Sequence, residues 1–200
     1  MGRPRRNDHR RDELLGEGLT QLMKAGYHGM GLKDLLKAVG VPKGSFYNYF
    51  ESKETFTAEV IEHYSHKLAA LFDAYLAATG LRGIEAMRGA YQLLIHAYES
   101  GQMPAGCLIG NLAGEVADES DVCRAAMASS LEIWRARFVE MIAESQQRGE
   151  VRSDIEAGQL VDFFWNAWEG SLLRAKVEGS VTPLRTCVAF LLDDFFAPRG

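Results

Sequence analysis

Apolar residues recur every three or four positions along nearly the whole chain, and no stretch alternates apolar and polar long enough to make a strand. The pattern predicts an all-α protein. A first helix is expected over about residues 10–25, with Leu15, Leu19 and Leu22 on one face and Gly26 as its stop. A short second helix follows from Leu32 to Val39, with Asp34 in the first turn, where the helix dipole favours an anion, and Gly40 at its close. A third short helix is expected from Pro42 or Lys43 to Phe50, since proline in a first turn gives up no hydrogen bond. Ser52 then reads as an N-cap, and Phe56, Val60, Tyr64, Leu68, Leu71 and Tyr75 carry a long apolar stripe towards Gly80.

Further helices are expected over about 82–100, 104–117, 120–148, 154–178 and 183–196, with Gly101, Pro104, Gly149, Gly179 and Pro183 in the breaks. A long helix leaves a three-helix unit near residues 50–55. The expected division is therefore residues 1–52, an N-terminal arm with a small helical domain, and residues 53–200, a larger helical body. The last two predicted helices are apolar on more than one face: "LVDFFWNAWEGSLL" includes Phe164, Trp168 and Leu172, and "CVAFLLDDFF" includes Leu191 and Phe195. A helix apolar on two sides is buried on two sides. These five residues either complete the core of one chain or pair with their copies across a two-fold axis; they are the candidate dimerisation residues.

Composition changes the picture little: hydrophobic residues at 47% and charged residues at 24% suit an ordinary globular protein, and no apolar run is long enough to span a bilayer. No apolar stretch of the kind a secretory signal needs follows the basic N-terminus, so a cytoplasmic protein without a membrane is expected. Charge changes more. Residues 1–60 hold ten Lys or Arg against eight Asp or Glu, whereas the rest hold twelve against nineteen. A mildly basic head on an acidic body can present one end to a polyanion, although a merely solubilising tail has the same signature. Cys107, Cys123 and Cys187 are too few and too widely spaced for a disulfide framework or a zinc motif.

Two short helices across a tight glycine-containing turn, braced by a first helix, give the order of a helix-turn-helix DNA reader. In that motif the second helix enters the major groove by its N-terminal end, which here reads Lys43, Gly44, Ser45. Lys43 can donate to guanine or phosphate, Ser45 can donate or accept, and Gly44 lets the backbone approach closely. Tyr47, Asn48 and Tyr49 follow with groups that reach phosphates or bases, and Lys53 comes next. Phe46 and Phe50, four apart, are expected to face inward against Leu35 and Val39.

From Gly26 through "GLKDLLKAVGVPKGSFYNYFESKETF" the chain closely resembles the DNA-binding domain of the TetR family of transcriptional regulators, with its glycine-aromatic turn, Lys-Gly pair and aromatic run ending in Phe. The resemblance implies an all-α fold, a palindromic double-stranded DNA operator, a small-molecule effector and a homodimer formed through the last two helices. It places Lys43, Gly44 and Ser45 near bases or adjacent phosphates, and Tyr47, Tyr49 and Lys53 on backbone-contacting positions. Asn48 stands where a second aromatic is common, and Tyr49 where a histidine is frequent. Met30, Gly31 and Leu32 stand where the family has phosphate-touching threonines, so that contact falls to backbone N–H groups or to Lys33.

The body carries no nucleophile elbow, nucleotide loop or metal constellation: His63 and His66 are three apart but have no further ligands beside them. No enzyme, cofactor or metal is expected. Glu169 lies among Trp165, Trp168 and Leu173, with Arg174 beyond; these mark either an effector pocket or an ion pair between helices or subunits. If Pro104 starts a helix, Cys107 sits in its first turn, where unpaired N–H groups favour a thiolate, although a buried and inert cysteine is the plainer reading. "GCLIGNLAGE", "WEGSLLRAKVE" and a later Pro-Leu pair resemble the NemR and AcuR-like branch of the TetR family. That resemblance implies repression of genes that handle electrophiles, with Cys107 at the sensing position. The expected function is a DNA-binding repressor released by a small-molecule or electrophile signal. The rivals are a helical ligand-binding or adaptor protein with a basic N-terminus, and, further off, an enzyme built on Cys107.

Overall fold

The computed structural model describes residues 6–102 and 106–199, with the side chains of residues 9–42, 44–102 and 106–199. Helices α1 (Arg6–Gly29) and α2 (Leu32–Ala38) lead to a short 3-10 helix, Lys43–Asn48; α3 (Lys53–Thr79), α4 (Gly83–Glu99), α5 (Leu108–Val116), α6 (Asp121–Gln147), α7 (Ala157–Glu178) and α8 (Thr182–Val188) follow. A π-helical segment, Ala189–Phe195, continues α8, and Phe196 N–H donates five residues back to Leu191 O at 2.8 Å. No strand occurs among the described residues. No helix among them is long and apolar enough to cross a membrane.

The chain forms two compact units, Met1–Leu68 with Leu108–Ser130, and Ala69–Cys107 with Leu131–Gly200. In the first, Leu14, Leu22, Leu35, Phe46, Phe56 and Val60 are fully buried. Gly18 lets α1 approach closely, because any side chain there would run into the Phe56 ring. Ser52 caps α3 as its chemistry predicts, its Oγ accepting from Thr55 N–H at 3.0 Å. The stripe along α3 holds through Phe56 and Val60 and then slips: Leu71 is 60% exposed, and Phe72 is the buried residue instead.

In the second unit, Met87, Ile95, Ile142, Leu160, Phe164, Leu184 and Phe196 form the core. Tyr91 joins α4 to α7 with its ring centroid 4.8 Å from Phe164 and 4.6 Å from Trp168, both edge-on. Arg152, almost fully buried, holds Asp154 at 2.6 Å and lies 4.9 Å above the Phe195 ring, pinning the end of the π-helical segment.

Candidate functional site

The expected third α-helix is a 3-10 helix of six residues. Pro42 stands at its N-cap in extended backbone, and Ser45 N–H reaches back only to Pro42 O, at 2.9 Å. Aromatic packing holds so short a helix: Phe46 and Phe50 are buried, with ring centroids 5.5 and 4.7 Å from Phe56. Val39 is only half-buried, so the floor under Phe46 and Phe50 is Phe56 more than Val39. With three residues per turn, the rest of the segment faces out. Tyr47 is 69% exposed, Gly44 and Asn48 are exposed, and Ser45 and Tyr49 are half-buried. Lys33 is exposed on α2. The Lys43 side chain lies outside the described residues.

Not all of the basic head is available to an anion. Arg10 donates to Glu13 at 2.7 Å and to Val39 O, the C-cap of α2, at 3.1 Å. Arg11 pairs with Glu59 and lies over the Phe50 ring. Lys53 donates to Tyr27 O at 2.6 Å with its ammonium 4.5 Å from the centre of the Tyr27 ring, and burial pushes its pKa below the usual lysine value. It serves first as a brace on the end of α1.

That end is built around Gly26, whose φ of 72° breaks the helix where the sequence places a stop. The freed backbone groups are taken by a carboxylate that sequence reading missed. Glu115 of α5 accepts from Tyr27 N–H at 2.8 Å and His28 N–H at 3.3 Å, and His28 Nε2 donates to Glu115 O at 3.2 Å. Any side chain at position 26 would collide with that carboxylate. Tyr27 Oη donates to Glu54 at 3.1 Å; burial, and then Glu54, push its phenol up to about 12.

In the second unit, Cys107 is half-buried immediately before α5. Pro104, expected to open that helix, lies outside the described residues. Tyr98 Oη donates to Gly106 O at 3.3 Å, fixing the peptide ahead of the cysteine. Burial raises the Glu169 pKa above the usual carboxylate range, while the Cys107 thiol and the charge of Lys176 pull it back. Burial also holds Tyr91, Tyr98 and Cys187 protonated beyond their ordinary values. Beside this cluster lies a cleft of ≈ 600 Å³ lined by Tyr98, Glu99, Lys176, Thr182 and Arg185 among others. Of the other expected effector residues, Trp165 is half-buried and 6.1 Å from Phe138, and Trp168 is buried against Tyr91. Arg174 turns outward to Glu178 at 2.6 Å. Tyr91 and Tyr98 were legible in principle, since residues 91, 95 and 98 share a helix face. No group of three metal-ligating side chains occurs among the described residues.

The expected dimerisation residues are already covered within the chain, apart from Phe195. Phe164, Trp168, Leu172 and Leu191 are buried within the chain itself, because Tyr91 and the α4–α8 core occupy that face, and Phe195 is half-buried. The face left open on α7 is Phe163, Asn166, Gly170, Leu173 and Val177, a continuous stripe, and Phe190 is exposed beyond it.

Residues 14–60 match the family model of bacterial regulatory proteins, tetR family, and residues 83–191 match the tetracyclin repressor-like C-terminal domain. The chain is 36% identical over 173 residues to the transcriptional regulator AcuR of Cereibacter sphaeroides, covering 86% of this chain and 79% of that one. It is 34% identical over 174 residues to the HTH-type transcriptional repressor DhaR of Mycobacterium sp. strain GP1, covering 87% and 86%. The crystal structure of the reduced form of Escherichia coli NemR matches with a TM-score of 0.83 and 28% identity over 92% of this chain and 95% of that one.

Proposed function

The chain belongs to the TetR family of bacterial transcriptional regulators, and from that premise we propose a homodimeric repressor that leaves its palindromic operator when Cys107 is modified by an electrophile. The DNA-reading part is residues 1–52, and effector binding and dimerisation belong to residues 53–200. Lys33, Lys43, Gly44, Ser45, Tyr47, Asn48 and Tyr49 make the contact surface. Lys53 keeps donors for a phosphate beyond the one given to Tyr27. The dimer forms through the open stripe Phe163–Asn166–Gly170–Leu173–Val177, with Phe195 at its margin. This pairing holds two reading segments about 34–36 Å apart, one helical turn of DNA.

The observation that carries the signal half is the place of Cys107, a free and only half-buried thiol immediately before α5. A solvent-reachable thiol at the residue joined directly to α5 suits a sensor better than an inert core position. Trp165 and Trp168 supply apolar walls for the effector. Adduct formation shifts the start of α5, whose Glu115 holds the turn before α2. Because both reading segments must dock together, a coupling of about 2 kcal/mol between effector and DNA is enough to release the operator.

The test uses duplex DNA selected by the full-length protein from a random pool. Tyr47→Ala should weaken binding by about 1 kcal/mol or more. Lys43→Ala should also lower the salt slope by about one ion. Unchanged affinity in both variants places the reading surface elsewhere. Cys107→Ser should bind DNA and resist release by N-ethylmaleimide; full release of that variant leaves reversible ligand binding as the mechanism.

A further inference from the structure

We propose that Asn48 sets the operator sequence: its side-chain amide reads an adenine in the major groove, accepting from the N6 amino group and donating to N7. This rests on the reading of Lys43–Asn48 as the DNA-reading segment and names the base that one of its residues selects.

The 3-10 form decides which side chains act together. With about three residues per turn and about 2.0 Å of rise per residue, positions three apart eclipse one another. One row, Phe46 and the C-cap Tyr49, turns inward: Phe46 is buried and Tyr49 half-buried. Gly44 and Tyr47 make a second row, both exposed. Ser45, half-buried, and Asn48, exposed, make the third. A Cβ added at Gly44 would meet nothing within 4 Å, so the segment is low on that side and its backbone can come close to base edges. Tyr47, 69% exposed, is long enough to reach a phosphate from there. Asn48 carries its amide on a single methylene, a reach that is useful only at such close range.

The backbone at Asn48 is fixed on both sides. Phe46 and Phe50 bracket it with ring centroids 5.4 Å apart, and both pack on Phe56. Phe46 O accepts from Tyr49 N–H at 2.9 Å and from Phe50 N–H at 3.1 Å. A short side chain on a backbone held this firmly has little freedom to follow a wrong base. An amide sets a donor beside an acceptor, and adenine presents the complementary pair on its major-groove edge. Guanine presents two acceptors, cytosine one donor, and thymine an acceptor beside a methyl group. Asn48 therefore selects A·T, in one orientation, at one position of each half-site.

The affinity of the full-length protein for its selected palindrome, with each base pair of the half-site changed in turn to the other three, tests this. The wild type should show one position where replacing A·T weakens binding about tenfold or more. Replacing that adenine by 7-deazaadenine, which lacks the N7 acceptor, should also weaken it several-fold. In Asn48→Ala the selected palindrome should bind about tenfold more weakly, and all four base pairs at that position should bind within about twofold of one another. 7-Deazaadenine should cost this variant nothing further, and its salt slope should match the wild type, because no charge has been removed. An A·T preference retained in Asn48→Ala, whether or not overall affinity falls, overturns the role of Asn48 and leaves the reading segment standing. A wild type indifferent to 7-deazaadenine at every adenine of the site overturns it without any variant, so the test holds even if Asn48→Ala fails a circular-dichroism check of its fold. Unchanged affinity in Lys43→Ala, Tyr47→Ala and Asn48→Ala together overturns the reading of the segment beneath it.

Discussion

Tyr27 is engaged at every polar atom it has. Its N–H goes to Glu115, its carbonyl receives Lys53, and its hydroxyl donates to Glu54, while the Lys53 ammonium rests over its ring. Burial, and then Glu54, push the phenol up to about 12 in the folded protein, against about 10 unfolded. Between those values the folded state holds the extra proton, so this contribution is complete below pH 10 and is lost as pH rises towards 12. Lys53 acts in the opposite sense at lower pH, because its depressed pKa makes the unfolded state bind more protons below its usual value of about 10.5. Melting temperatures of wild type and Tyr27→Phe across pH 9–12 separate the two. The wild type should lose stability relative to the variant above pH 10, and parallel curves would remove Tyr27 as the cause. None of these partners was legible in the sequence, because Glu115 and Tyr27 are 88 positions apart and local spacing carries no trace of their meeting.

Helices α1 and α2 owe their arrangement to the break at Gly26, and here the sequence was informative. It put a stop at Gly26, an N-cap at Ser52 and a buried pair at Phe46 and Phe50, all of which depend on neighbours within a few residues. It missed the 3-10 form of Lys43–Asn48 and the slip of the α3 stripe from Leu71 to Phe72, because both depend on what packs against the element. Phe72 has Trp134 and Phe138 of α6 at 5.9 and 6.0 Å. Two glycines of α1 give opposite expectations. Gly26→Ala adds a side chain at φ 72° and against Glu115, so it should cost more than about 1 kcal/mol. Gly16 has open space around it in a helical turn, so Gly16→Ala should gain about 0.5–1 kcal/mol. Urea unfolding of the two variants checks both signs; a stabilised Gly26→Ala would contradict the role given to the Glu115 clamp.

At the level of the whole molecule, the sequence marked α7 as apolar on more than one face but could not say which face the chain covers for itself. Tyr91 decides: it draws Phe164 and Trp168 inward and leaves Leu173 62% and Val177 88% exposed. Phe164→Ala should therefore act as a core deletion of about 3–5 kcal/mol. Leu173→Glu should leave the fold intact and yield a monomer in sedimentation, with DNA affinity reduced because a lone reading segment docks without its partner. A dimeric Leu173→Glu protein would move the interface off this stripe. The proposed link between Cys107 and the operator is read in the dissociation constant for the selected palindrome before and after stoichiometric modification of Cys107. Binding should weaken about thirtyfold, the equivalent of about 2 kcal/mol of coupling. An unchanged dissociation constant with Cys107 fully modified would contradict it.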